Sequence, residues 1–243
     1  MKKFCLVGKD IAYSLSPIIH KQIYEYLEVD ASYDLQDVSL NELPQIIRQY
    51  DGLNVTKPYK IEIGRLLDDA KTVSVNTIIK RNGKTIGFST DGNGFLSAFK
   101  KTIENNYSQV AVVGGGGASM AVAKALVDNN FETFIYARNS QQADYICSQT
   151  GAKLGNRDFA PNAVIYAASG GQYLPFDNSN IQYLMDLRYD GSEIKTDKFK
   201  VVNGITMLIQ QAILSATYFL DKKLDQKQID EIFFIIYNNL CKR

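Results

Sequence analysis

Tryptophan is absent from the 243 residues, and histidine occurs once, at His20. A lone histidine argues against a histidine-rich metal centre and against a Ser-His-Asp hydrolase, so no metal site is expected. The three cysteines, Cys5, Cys147 and Cys241, are odd in number and far apart. They fit reduced thiols in a cytoplasmic protein better than a disulfide frame or a zinc site. Charge of one sign is also missing. Lysine plus arginine (27) nearly equals aspartate plus glutamate (26), so neither nucleic acid nor an anionic membrane is expected as a partner. No apolar run approaches the roughly 20 residues that span a bilayer. Met1-Lys2-Lys3 is basic, but the apolar stretch 4–8 is short and Asp10 follows, so no secretory signal is expected. Internal repeats and low-complexity linkers are lacking too. What remains is a chain 45% hydrophobic, enough to build the core of one large or two small domains.

Residues 4–7 form a short apolar run, and Gly8 opens a loop ending at Ser14-Leu15-Ser16-Pro17. Ser16 as N-cap with Pro17 at the first helical position predicts a helix to about residue 27. Two readings fit the serines. Capping accounts for Ser16, while two hydroxyls at i and i+2 beside a helix N-terminus also suit an oxygen-rich anion. His20, on the first turns of this helix, is expected to be packed or half-exposed. Residues 32–38 alternate as a strand, and residues 40–50 read as a helix despite Pro44.

A strand over residues 53–56 follows, then Lys57-Pro58-Tyr59-Lys60, where Pro58 is expected to start a helix to about residue 67. Strand, helix, strand, helix predicts a mostly parallel sheet with helices on its faces. Ligands bind at the C-terminal edge of such sheets, the edge toward which Lys60 points. Residues 74–79 form another strand, Asn82-Gly83 a hairpin turn, and residues 84–88 the return strand. That strand delivers Ser89-Thr90-Asp91-Gly92. Asp91 reads either as the cap of the next helix, over residues 92–103, or as a carboxylate at the edge shared by Lys60 and Asn76. A lysine held beside an aspartate is a workable acid-base unit. The carboxylate fixes the ammonium, which donates a proton to a carbonyl oxygen as negative charge builds there. Reduction of a ketone, or the reverse oxidation, needs this chemistry.

Residues 109–113 are continuously apolar, as in a buried parallel strand. They run into Gly114-Gly115-Gly116-Gly117-Ala118-Ser119 and a helix to about residue 128, the strand, glycine turn and helix of a dinucleotide fingerprint. Ser119 replaces the third glycine and is small enough for close helix packing. The strand at 133–136 ends at Arg138, where an NAD site usually carries Asp or Glu. A guanidinium there suits a 2′-phosphate and so NADP, or else is a surface arginine. Strands over residues 163–167, 183–187 and 200–202 complete an open sheet of about six parallel strands. Two helices, residues 205–220 and 225–240, have no strand after them and are expected to return to the first domain.

Taken in order, these motifs resemble the shikimate dehydrogenase family nearly end to end. The carriers are Ser14-Leu15-Ser16-Pro17, Asn54-Val55-Thr56-Lys57-Pro58-Tyr59-Lys60, Val75-Asn76-Thr77, Ser89-Thr90-Asp91-Gly92, the glycine turn, and Asn203-Gly204 through Met207 to Gln211. The resemblance implies an α/β protein with a substrate-binding and catalytic domain (1–100 plus 208–243) and a Rossmann-like NADP-binding domain (101–207). It implies NADPH-dependent reduction of 3-dehydroshikimate to shikimate, with a monomer or homodimer acting on a small-molecule substrate. Ser14 and Ser16 would bind the substrate carboxylate, and Thr56, Asn76, Asp91 and Gln211 the ring hydroxyls. Tyr189 would be the cleft tyrosine. Lys60 would be the acid-base with Asp91 beside it. Gly114, Gly115, Gly116, Gly117, Ala118 and Arg138 would hold the cofactor, with Gly204 and Met207 near its nicotinamide. The chain departs from the family's usual residues at Ser89, at Ala137-Arg138-Asn139, at Gln142 in place of a second basic residue, and at Tyr166-Ala167-Ala168. Two alternatives stand beside this reading: a quinate/shikimate dehydrogenase using NAD, and a shikimate-binding regulatory protein without turnover.

Overall fold

Short apolar runs alternating with amphipathic stretches fold into two six-stranded sheets, each in its own unit. The computed structural model describes residues 1–103, 107–168, 174–189 and 191–241. One unit comprises Met1–Thr90 and Leu208–Arg243, the other Asp91–Met207. This division runs between Thr90 and Asp91 and between Met207 and Leu208. Among the described residues no helix is long and apolar enough to cross a membrane.

In the first unit, β1 (Lys2–Gly8) leads through α1 (Ser16–Tyr26) to β2 (Ala31–Asp37), and α2 (Leu43–Gln49) leads to β3 (Gly52–Val55). Then come β4 (Asp69–Ala70), β5 (Thr77–Arg81) and β6 (Lys84–Phe88), in the sheet order β2-β1-β3-β5-β6-β4. The β1–β2 and β1–β3 pairs are parallel, as the alternation with helices predicts. The β3–β5 and β5–β6 pairs are antiparallel, making the sheet mixed. The Asn82-Gly83 turn accounts for the second of these pairs: both residues adopt positive φ (51° and 74°), which closes a tight hairpin. Reversal twice over returns the chain to the edge where β3 ends. The start of β5 and the end of β6 therefore lie beside Thr56.

Three local expectations fail here. Ser16 is not the cap of α1 but its first residue. Pro17 brings no N–H, so the donor in need of a partner is that of Ser16, and Ser14 Oγ accepts it (3.3 Å). Pro58 does not open an α-helix. The Lys57–Pro58 peptide is cis, Tyr59 N–H closes a turn onto the Thr56 carbonyl (3.0 Å), and helical geometry resumes only as a 3-10 turn at Glu62–Leu66. The helix expected over residues 40–50 is split into a 3-10 turn, Leu40–Glu42, and α2, with Pro44 in the first turn of α2.

His20 is wholly buried, stacked on Tyr33 (centroids 3.9 Å apart, planes 8°) with Nδ1 3.2 Å from Tyr24 Oη. Burial pushes its pKa from 6.5 down to about 3, with hydrogen bonding to Asn54 the smaller and opposing cause. Between these values the unfolded chain binds a proton that the folded chain refuses, so stability rises with pH there and is lost as pH falls. At a pH of about 5.5 this one group is expected to cost about 1.4 kcal/mol relative to neutral pH. Urea unfolding of wild type and His20→Gln at both pH values checks it. The variant should lose that increment of pH dependence, and identical dependence in the two proteins would contradict the assignment.

The second unit holds α3 (Asp91–Thr102), β7 (Gln109–Val113), α4 (Gly117–Asp128), β8 (Glu132–Tyr136), α5 (Ser140–Thr150), β9 (Lys153–Leu154), β10 (Ala163–Tyr166), β11 (Tyr183–Asp186) and β12 (Lys200–Asn203). All its strand pairs are parallel, in the order β12-β11-β10-β7-β8-β9. This is the doubly wound Rossmann order, with its switch point between β7 and β10. One core lies between the sheet and α3 and α4, and a second, around Tyr136, Tyr166 and Phe176, lies on the other face. Helix α6 (Ile205–Leu220) carries Phe219 onto the first sheet, stacked on Phe4 (4.7 Å) and against Gly52; α7 (Gln226–Cys241) packs on α1.

Candidate active site

At the C-terminal edge of the first sheet, the loops after β1 and β3 meet. Thr56 N–H donates to Val7 O (2.9 Å), Lys9 N–H donates to Lys57 O (3.1 Å), and a side chain at Gly8 would strike Thr56 Cγ2. Two further backbone bonds bring in the strand that runs the other way: Val55 N–H to Asn76 O (2.8 Å) and Val75 N–H to Lys60 O (2.7 Å). Thr56 and Lys60, from the segment after β3, and Asn76, from the segment before β5, are thus tied into one rim. Thr56 and Lys60 are half-buried, Asn76 buried.

Ser14 and Ser16 lie at the start of α1, hydroxyl to hydroxyl at 3.2 Å. Ser16 is buried and Ser14 half-buried. Gln211, on α6, reaches the same rim: Asn76 Nδ2 donates to its Oε1 (3.2 Å), and its own Nε2 donates to Leu208 O (3.0 Å). Thr90 closes the group. Its N–H donates to Asn76 Oδ1 (2.7 Å), fixing the residue before Asp91. Sequence reasoning assigned nothing to Thr90, Thr77 or Asn54, although all three stand inside the quoted motifs.

Asp91 and Tyr189 belong to the second unit. Asp91 is the buried first residue of α3, where a carboxylate complements the helix dipole. Tyr189 is half-buried in the segment after β11. That segment is anchored by Arg188, whose guanidinium pairs with Asp186 through Nε (2.9 Å) and a terminal nitrogen (2.6 Å) and lies 4.5 Å from the Tyr166 ring centroid. Gly204 lets the next segment approach: a Cβ there would come within 2.3 Å of Leu187 O. Met207 is buried in the core beside α4.

The glycine turn sits at the switch point. Gly114 has φ 145°, and a Cβ on it would lie 2.5 Å from Ser119 Oγ and 2.9 Å from the Ala167 carbonyl. Ser119 is wholly buried, its hydroxyl without a hydrogen-bond partner, and Gly116 faces open space. Gly117 and Ala118 begin α4, whose N-terminal N–H groups favour an anion. The turn therefore fits a pyrophosphate on its Gly116 side, where among the described residues nothing lies within 4 Å of an added Cβ. Arg138 is exposed just past β8. Asn139 caps α5 by accepting from Gln142 N–H (3.1 Å), and Gln142 Oε1 covers Gly115, 2.5 Å from where its Cβ would be.

A mixed α/β unit with a polar rim and a unit with a Rossmann-type parallel sheet and glycine turn define an α/β protein of the doubly wound class. A family model for the shikimate dehydrogenase substrate binding domain matches residues 6–78. A shikimate dehydrogenase (NADP(+)) of Methanococcus aeolicus is 32% identical over 247 residues, spanning 86% of this chain and 88% of that one. The structure of the Thermus thermophilus shikimate 5-dehydrogenase in complex with NADP(H) and shikimate superposes with a TM-score of 0.80 at 27% identity, covering 97% of this chain and 100% of that one. A chorismate mutase/shikimate 5-dehydrogenase fusion protein of Clostridium acetobutylicum gives 0.83 at 28% identity, covering 98% of each. The chain belongs to the shikimate dehydrogenase family.

Proposed function

We propose that this enzyme interconverts 3-dehydroshikimate and shikimate with NADP as the hydride carrier. The observation that carries the reading is the convergence of Ser14, Ser16, Thr56, Lys60, Asn76 and Gln211 on one edge of the first unit, in a chain of this family. The serine hydroxyls, at the N-terminus of α1, take the ring carboxylate, where the helix dipole favours an anion. Thr56, Asn76 and Gln211 hold the ring oxygens. NADP, when bound, supplies or accepts the hydride at the ring carbon. Lys60 manages the proton: its ammonium gives one to the carbonyl oxygen during reduction, and in reverse its neutral amine takes one from the hydroxyl. Gly114, Gly115, Gly116, Gly117 and Ala118 would cradle the pyrophosphate. Arg138 would meet the 2′-phosphate, and Gly204 and Met207 would border the nicotinamide.

The test is steady-state oxidation of shikimate or quinate with NADP or NAD, followed by the absorbance of the reduced nicotinamide. Shikimate with NADP is expected to be the fastest pair by at least about tenfold, the worth of one charge-assisted contact between Arg138 and phosphate. Faster turnover with NAD, or with quinate, would replace this reading by a quinate/shikimate dehydrogenase using NAD. The exposed single arginine and the uncharged Gln142 are the features that make that comparison informative.

A further inference from the structure

Behind the substrate rim of the first unit lies a buried relay of polar side chains whose polarity runs one way. His20 stacks on Tyr33, and the Tyr33 hydroxyl donates to Asn54 Oδ1 (2.7 Å). With its oxygen engaged, the Asn54 amide turns its Nδ2 the other way, to Asn76 O (3.1 Å) and Thr77 Oγ1 (3.2 Å). Thr77 accepts that bond and spends its own proton on Asn76 Oδ1 (2.9 Å). Thr90 N–H reaches the same oxygen at 2.7 Å. Both lone-pair positions of the Asn76 carbonyl are thereby taken from behind. Its two Nδ2 hydrogens face Thr90 Oγ1 (3.0 Å) and Gln211 Oε1 (3.2 Å), so a ligand oxygen reaches an Asn76 N–H by displacing one of these acceptors. Asn54, Asn76, Thr77 and Thr90 are each less than 5% exposed. A flipped Asn54 amide would set its oxygen against Asn76 O, and a flipped Asn76 amide would set its nitrogen against the Thr90 N–H.

We infer that Asn54 and Thr77 are positioning residues that fix the rotamer of Asn76, so that Asn76 meets its ligand only as an N–H donor. A ligand oxygen at this point of the rim must therefore accept a hydrogen bond. Neither residue touches the ligand; both act through Asn76. The inference rests on the reading above that Asn76 binds shikimate.

The experiment is a double-mutant cycle read by calorimetric titration of shikimate, with thermal unfolding run alongside. Asn54→Ala is expected to weaken shikimate binding about tenfold in the wild-type background and by less than about twofold in the Asn76→Ala background, because residues in one network are not additive. Thr77 separates positioning from packing. Thr77→Val keeps the shape and loses the hydroxyl, whereas Thr77→Ser keeps the hydroxyl and loses a methyl. The relay requires Val to weaken binding more than Ser, and a purely packing role requires the reverse order. Additive losses in the double variant, or Val binding better than Ser, would overturn the inference. Unchanged affinity in Asn76→Ala alone would overturn the reading on which it rests, and the inference with it.

Discussion

Lys60→Ala is expected to lower turnover by about 10²–10⁴-fold, the range general acid-base groups contribute, while shikimate affinity stays within about threefold. The separation follows from how residue 60 is held. Its main-chain carbonyl accepts from Val75 N–H at 2.7 Å, a bond that alanine preserves, so the turn joining β3 to the start of β5 stays in place. Asn76 sits next to Val75 and keeps its bonds to Thr90 and Gln211. What disappears is the half-buried ammonium alone, and with it the proton for the carbonyl oxygen. Steady-state kinetics beside a shikimate titration make the measurement. An active Lys60→Ala enzyme would remove this lysine from the mechanism.

The second large effect is expected in the glycine turn, where neighbouring glycines should fail for different reasons. Gly114→Ala places a methyl 2.9 Å from the Ala167 backbone at a φ of 145°. Ser119 Oγ can rotate away, but main chain cannot, so the turn itself must move. NADP affinity should fall at least about 100-fold, and stability should drop by about 1–3 kcal/mol from backbone strain. Gly116→Ala meets nothing within 4 Å and has an ordinary φ of −98°. Its stability should stay within about 0.5 kcal/mol of wild type. Its NADP affinity should still fall at least about tenfold, since the added methyl occupies the open side of the turn. Calorimetry and thermal unfolding of both variants check this. Wild-type NADP affinity in Gly116→Ala would mean that the cofactor does not approach there.

How far the sequence carries this account depends on the range of each interaction. The Rossmann-type unit was legible because its signals are local: an apolar strand, a glycine run and a helix, repeated with parallel strands. Helix α5 and the two-residue strand β9 escaped notice. The Asn82-Gly83 hairpin was legible for the same reason, and it explains why Asn76 and Thr90 share a rim with Thr56. Pro58 misled because a proline ring restricts one φ without dictating that a helix follows; here Tyr59 N–H closes a turn onto Thr56 O, and helical geometry resumes only at Glu62–Leu66. Ser16 misled because either serine of a Ser-X-Ser-Pro sequence is a competent cap. In the structure it is Ser14 that accepts the N–H.

The relay behind Asn76 was not legible at all. Tyr33 and Asn54 are 21 positions apart, and Asn76 and Gln211 are 135 apart. No periodicity links such pairs, and only the folded sheet places them in contact. His20 shows the same limit: a helical position near the N-terminus does not reveal that an aromatic ring from β2 will cover it.

Shikimate titrated into the Lys60→Ala protein, followed through its amide resonances, separates binding from chemistry most directly. The account predicts near-wild-type affinity. It also predicts concerted shifts at the backbone amides of Ser14, Ser16 and Thr56 and at the side-chain amides of Asn76 and Gln211, with no reduction of added NADP. Binding that leaves those five residues unmoved, or sustained turnover in the variant, would contradict it.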